Sequence, residues 1–309
     1  MRTPLVLAGV LLASPAEAQD ARQFSFRRDL QPGARIHVAN VIGNVRVEAA
    51  SGRTFEATAV KRAGRYGDPE DVEVRTVDLP DGVALCVVYP ANRRAWDDER
   101  PSRERNENRN SSENRNRNDD RDNDPCRRDN NWSDGHSRND TEVDFTLKVP
   151  SGMRLRAGTV SGDVDGERLS GDLELRSVSG DVRLTGGEGP RISLETVSGS
   201  VDLLQIRARE VEGHTVSGRV TFEGPVQDGG SYDFATTSGS ISLSLPQQPN
   251  ATLSAATFSG RFSSDFPTTT DDRRRRRTRH SAVWGNGSAR VDVESLSGNI
   301  TIRTTAEAR

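Results

Sequence analysis

Along the C-terminal half of the chain, apolar residues recur in one arrangement around a Ser-Gly pair. Counted from Ser198 they stand at −6 and −4 (Ile192, Leu194), at −1 (Val197), and at +3 and +5 (Val201, Leu203). The same pattern recurs around Ser179, Ser217 (Val211, Val216, Val220, Phe222) and Ser238 (Tyr232, Phe234, Thr237, Ile241, Leu243), and more weakly around Ser161, Ser259 and Ser297. Successive serines are 18, 19, 19, 21, 21 and 38 residues apart, and a fixed period of this size marks stacked supersecondary units. Apolar pairs two apart are strand periodicity with one face buried. The phase slips between −4 and −1, beside a glycine, where a backbone without Cβ turns a corner. Each unit therefore reads strand, corner, strand. The corners fall at Gly43, Gly162, Gly180, Gly199, Gly218, Gly239, Gly260 and Gly298.

One such unit cannot bury its apolar side alone, but stacked neighbours can. The pattern predicts an all-β, solenoid-like stack of two-stranded rungs, with a β-sandwich as the alternative. Successive rungs should lie side by side. Val178, Val197 and Val216 should share one buried file, and a Thr or Ser at −2 (Thr159, Ser177, Thr196, Thr215, Thr236, Thr257, Ser295) should form a hydroxyl ladder. The pattern leaves the ladder's direction open. Ser170-Gly171 is an extra half-period copy.

Upstream, short alternating runs predict strands at Phe24, at 36–47, 55–61, 72–77 and 83–89, and again at 141–149. The run Ile36 to Val47 repeats the stencil around Ile42-Gly43, far from the main array. Residues 91–140 break the pattern. Twelve Arg, thirteen Asp or Glu and eleven Asn fill most of them, too little apolar surface to offset the entropy of ordering. This is expected to be a disordered polar insert, with Trp96 and Trp132 as its large apolar groups. Its two signs of charge nearly cancel, which argues against a polyanion site. A second insertion, 263–281, is expected to be an Arg-rich loop within the repeat domain.

The domain plan is therefore 1–18 as a signal peptide, then 19–90 and 141–309 as one β-repeat domain. Arg2, the apolar run Leu5–Ala13 and Ala16-Glu17-Ala18 are a basic, an apolar and a small-x-small segment in that order, with cleavage after Ala18. No later apolar run reaches the ~20 residues that span a bilayer. The expected location is exported: periplasmic or extracellular, at the cell envelope. Cys86 and Cys126, the two cysteines, suit a disulfide in an oxidising compartment, with free thiols or an intermolecular bond as the alternatives. A hydrophobic fraction of 32% with 29% charged residues suggests a thin core plus solvated segments, and a net charge of −3 gives no global field for nucleic acid.

The run Thr-Val-Ser-Gly-x-Val-x-Leu, the N-terminal unit at Ile42-Gly43-Asn44-Val45 and the step Val149-Pro150 resemble the bacterial putative-adhesin family of exported β-repeat proteins. The likeness covers residues 23–90 and 141–303. It implies a β-repeat fold and, by the family's name alone, adhesion; it implies no catalytic residue. The 91–140 insert departs from the compact pattern.

Candidate chemistry is sparse. There is no G-x-S-x-G elbow and no S-x-x-K pair, and seven serines at matching positions point to structure, since nucleophilic catalysis needs one Ser and one base. His37, His136, His214 and His280 stand singly, without metal-ligand spacing. Asp163, Asp172 and Asp181 follow Ser-Gly nine residues apart, but the Gly-Gly-x-Gly-x-Asp core of a calcium repeat is missing. No catalytic, cofactor-binding or metal residue and no cofactor is therefore expected. Carboxylates at −5 (Glu174, Glu212, Asp233, Asp292) sit on the polar side, interrupted by Arg156, Ser193 and Ser254. They are what a β-helical glycosidase or lyase would use, although none stands out as an acid–base pair. Arg273, Arg274, Arg275, Arg276 and Arg277, with Arg279, form a candidate anion-binding loop beside Asp271 and Asp272. The leading expectation is a non-enzymatic exported scaffold that binds an envelope component, a glycan or a protein.

Overall fold

The computed structural model describes residues 22–89, 125–126, 139–271 and 278–305. The signal sequence, most of the 91–140 insert with Trp96, Trp132 and His136, and Arg273–Arg277 lie outside the described residues.

Two sheets close on one core, and the fold is all-β and solenoid-like. Each rung of the array enters its Ser-Gly corner on a long strand, such as Gly171–Ser179 or Glu188–Ser198. It leaves on a short one, such as Val182–Thr185 or Val201–Leu204. The long strands belong to a 12-stranded sheet and the short strands to an 11-stranded one. Within the array, neighbouring rungs pair parallel and in register. Leu173 faces Leu155 on one side and Ile192 on the other, and Val182 faces Val164 and Val201. Register alignment converts the −6, −4, +3 and +5 slots into buried columns, for example Leu155, Leu173, Ile192, Val211 and Tyr232. Burying such a side chain stabilises by roughly 1.5–3 kcal/mol. Where the columns widen to Phe222, Tyr232 and Phe234, position −4 of the Ser217 rung is Gly213. A Cβ there would lie 2.9 Å from Leu203 Cδ1 and 3.1 Å from Phe234 Cδ1.

The inward set departs from expectation at one slot. The period of two runs on through −6 and −4 to −2, so the hydroxyl residue points in and −1 points out. Thr159, Ser177, Thr196, Thr215, Thr236, Thr257 and Ser295 are all buried, while Val178, Val197 and Val216 are exposed. The three valines do form one adjoining file, on the opposite side of the sheet from the core. A buried hydroxyl needs an acceptor, and each finds the corner carbonyl of the adjacent rung. Ser177 Oγ donates to Gly162 O at 2.8 Å, Thr196 Oγ1 to Gly180 O at 2.9 Å and Thr215 Oγ1 to Gly199 O at 2.9 Å. Thr159, Thr236, Thr257 and Ser295 repeat the bond to Gly43, Gly218, Gly298 and Gly239. In the N-terminal unit Asn40 takes this slot, donating to Val143 O at 2.8 Å.

The corner glycines stack as closely as backbone allows. Gly180, Gly199, Gly218 and Gly239 have φ of 153°, 151°, 154° and 156°. A Cβ on Gly199 would lie 2.1 Å from Gly180 O, and one on Gly218 1.9 Å from Gly199 O. Gly43 and Gly162 share the positive φ. Gly260 and Gly298 differ: they lack it, and what their place in the stack demands is the missing Cβ, 2.0 Å and 1.8 Å from a neighbouring glycine carbonyl.

Rung order in space also differs from rung order in sequence. The last long strand, Ala289–Ser297, lies between Ser231–Ser238 and Ala251–Ser259, and its short partner Ile300–Thr304 between Ile241–Leu245 and Phe262–Ser264. The reason is the second insertion. Instead of an open loop, its described parts form strands Thr269–Asp271 and Thr278–Val283, antiparallel to each other, with the second antiparallel to Ala251–Ser259. This hairpin occupies the far edge and sends the chain back to fill the rung inside it. Trp284 follows it, buried, donating Nε1–H to Pro267 O at 2.8 Å and packing on Phe266.

At the other end the upstream unit joins the array directly. Arg35–Ala39 pairs parallel with Met153–Ser161, and Val45–Ala49 with Val164–Glu167. Gly82–Val88 and Glu142–Val149 make the next rung out, with the 91–140 insert in place of its corner. Antiparallel strands Gln23–Asp29, Thr54–Arg62 and Glu73–Leu79 finish this end. Cys86 points away from the core and is bonded to Cys126, with Cα atoms 5.4 Å apart. Together with Ala84 they form a small separate cluster on the outer face of the long-strand sheet.

Candidate binding face

The parity that sends −2 inward sends −1, −3, −5 and −7 outward, and the register aligns each as a row across the long-strand sheet. From the Ser179 rung onward the −1 row reads, in spatial order, Val178, Val197, Val216, Thr237, Leu296 and Phe258. Strands ~4.8 Å apart make this a file of about 24 Å. Its five apolar members are 46–56% exposed. Scattered apolar residues are ordinary on a surface, whereas here five stand in one row, interrupted once by Thr237.

The rows behind the file carry charges that pair within the face. Glu174 Oε1 lies 2.7 Å from both Arg156 Nε and Arg176 Nε, and Arg176 reaches Glu195 at 3.3 Å. Arg191 holds Glu212 at 3.1 Å, and Arg290 pairs with Asp292. All four −5 carboxylates thus have a cationic or imidazole partner, Asp233 taking His214 Nε2 at 3.2 Å. Exposed pairs of this kind contribute roughly 0–1 kcal/mol each; what they do here is order the side chains and neutralise the face. The hydrogen bond to Asp233 raises the His214 pKa, against the opposing effect of burial, and the charges of Glu195 and Glu212 add to the rise.

Two troughs run along this face. One, of about 690 Å³, lies on the apolar file between Val197, Val216, Phe258 and Leu296, with Glu195, His214 and Glu294 along its side. The other, of about 1040 Å³, continues from His214 and Ala235 past Asp233, Arg279, Arg290 and Asp292. Ala235 and Ser231 are short side chains among longer ones, and the depression forms over them.

The remaining sequence candidates are dispersed. Asp163 and Asp181 act as rung-to-rung acceptors: Asp181 N donates to Asp163 Oδ1 at 2.8 Å and Ser200 N to Asp181 Oδ1 at 2.7 Å. Asp172 stands on the other sheet, in the −7 row. Among the described residues no group of three His, Cys, Asp or Glu is placed to hold a metal ion. His37 is buried. His280 lies in strand Thr278–Val283, stacked on Phe262 at 4.1 Å, and burial lowers its pKa. Among the described residues no helix is long and apolar enough to cross a membrane. The file itself was visible in sequence only as an apolar slot, since an apolar residue next to a corner reads as inward; the signal that locates it is the unbroken period of two from −6.

Such stacked sheets place the chain in a class of β-repeat proteins. Residues 135–303, more than half of the 309, match the family model described as Toastrack DUF4097, and the chain belongs to that family. A search of curated proteins finds no significant match. Two solved structures are similar at low identity. A putative cell adhesion protein from Clostridium sporogenes is 8% identical, with 92% of this chain and 100% of that one covered and a TM-score of 0.36. A putative adhesin from Bacteroides fragilis is 12% identical, with 93% and 98% covered and a TM-score of 0.39.

Proposed function

We propose that this protein is a non-enzymatic, exported β-repeat scaffold that holds an envelope component, a glycan or a protein against the outer face of its long-strand sheet. The observation that carries the reading is the apolar file on a rigid, register-aligned surface. It supplies area that gains from leaving water, and the self-paired charge rows beside it supply orientation. A repeat stack favours an extended contact of this kind over a single pocket.

The test is a binding screen of the full chain against envelope fractions and glycans, with Val197→Asp plus Val216→Asp on the file and Ser242→Asp on the outer face of the short-strand sheet. The file variant is expected to lose binding at least tenfold, about 1.4 kcal/mol, and the control to keep it. Equal binding by all three proteins would refute the reading. The carbohydrate-active alternative would draw on Asp233, Asp292 and Glu294 in the larger trough. Glycan cleavage by the wild-type chain that disappears in Asp233→Asn or Asp292→Asn would establish it instead.

A further inference from the structure

The outward side chains of strand Ser231–Ser238 are short, and those of both neighbouring strands are long. From −7 to −1 the strand presents Ser231, Asp233, Ala235 and Thr237. Glu212, His214 and Val216 stand on one side of it and Arg290, Glu294 and Leu296 on the other, held level by the parallel register. A groove therefore follows this strand. It is about 20 Å long from −7 to −1, and its walls are two strand spacings, ~9.6 Å, apart, which is room for one extended chain. The two troughs meet in it, since His214, Ala235 and Glu294 line both.

We propose that this groove is a saccharide site, and that its occupant is a linear oligosaccharide without formal charge lying along the strand. This rests on the binding-face reading above and names the class of its partner. The charges around the groove are already paired, Glu212 with Arg191, Asp233 with His214 and Asp292 with Arg290. An ionic ligand has to part such pairs. A hydroxyl, which both donates and accepts, bonds to either member and leaves the pair intact. The backbone of Ser231–Ser238 is bonded to a parallel strand on each side, so it offers no edge to a peptide, whose N–H and C=O groups would lie over the face without backbone partners. Polarity also changes along the groove. Polar groups line it from −7 to −3, while Val216, Leu296 and the exposed ring of Phe258 border the trough at its −1 end. A pyranose has a rim of hydroxyls and apolar C–H faces, and so matches both.

An array of neutral hexose and N-acetylhexosamine chains, with matched uronate chains, tests this on the full chain, and envelope binding is measured in parallel. Wild type is expected to bind neutral chains and to bind the uronate chains at least tenfold more weakly. Ala235→Trp fills the floor of the groove, and Asp233→Ala removes an acceptor without adding bulk. Each is expected to weaken binding of the best neutral chain at least tenfold by calorimetry, with an unchanged far-UV circular dichroism spectrum, while Ser242→Trp on the opposite sheet keeps it. An array on which no neutral chain binds overturns the saccharide site. If Val197→Asp still loses envelope binding, the binding face then stands with a partner of another class; if envelope binding is indifferent too, both fall. Stronger binding of the uronate chains, or neutral binding indifferent to both Ala235→Trp and Asp233→Ala, also overturns the proposal.

Discussion

Replacing Gly199 by Ala perturbs the stack at its tightest kind of contact. The added Cβ would sit 2.1 Å from Gly180 O, about 1 Å inside the closest approach that real Cβ atoms make, and φ is 151°. Holding a non-glycine residue in that backbone region costs of order 1–3 kcal/mol. Relieving the clash means parting the Ser179 and Ser198 rungs at the corner. That weakens the bonds from Gly180 N to Ser198 O and from Thr196 Oγ1 to Gly180 O, both now 3.0 Å or less, at about 1 kcal/mol each. The expected loss is therefore about 4 kcal/mol. Gly152 supplies the control, because its φ is +73° yet nothing lies within 4 Å of its would-be Cβ. Gly152→Ala carries the conformational cost alone, about 1 kcal/mol. Urea denaturation of both variants measures the difference. Equal losses would refute the view that glycine is demanded by stacking as well as by φ.

Reducing the Cys86–Cys126 bond, which spans a sequence separation of 40, should lower stability by roughly 4 kcal/mol on the chain-entropy account, read as a shifted denaturation midpoint with and without reductant. For His214, the folded-state pKa is raised chiefly by its hydrogen bond to Asp233. Its contribution to stability is then fully present below the unfolded value near 6.5 and is lost as pH rises through the higher folded value; His214→Gln should flatten the stability profile in that window, and an unchanged profile would contradict the assignment. Thr215→Val removes the hydroxyl that donates to Gly199 O at 2.9 Å and should cost about 1–2 kcal/mol in a thermal melt, whereas Thr215→Ser should cost less.

The sequence carried the stack because burial of Ile192, Leu194, Val201 and Leu203 is a hydrophobic signal repeated at fixed spacing, and register follows from repetition. The corner was harder. Thr196 is polar and buried, Val197 apolar and exposed, so hydrophobicity alone assigns Val197 to the wrong face and leaves the direction of Thr196 open. Only the neighbouring rung's carbonyl, which a single unit does not contain, explains why the hydroxyl turns in. The place of Ala289–Ser297 was likewise hidden. Its stencil is intact, but the antiparallel strands Thr269–Asp271 and Thr278–Val283 that displace it along the stack have no repeat pattern of their own. The trough over Ala235 arises from side-chain size across several strands and so has no local signature.

The binding reading depends most on the outer face of the long-strand sheet, and its most direct test is protection of single cysteines from a thiol reagent in the presence of envelope material. Val197→Cys and Val216→Cys are expected to react freely alone and to be shielded on binding, while Ser242→Cys on the opposite sheet keeps its rate. Shielding of Ser242→Cys with Val197→Cys and Val216→Cys still open would contradict it.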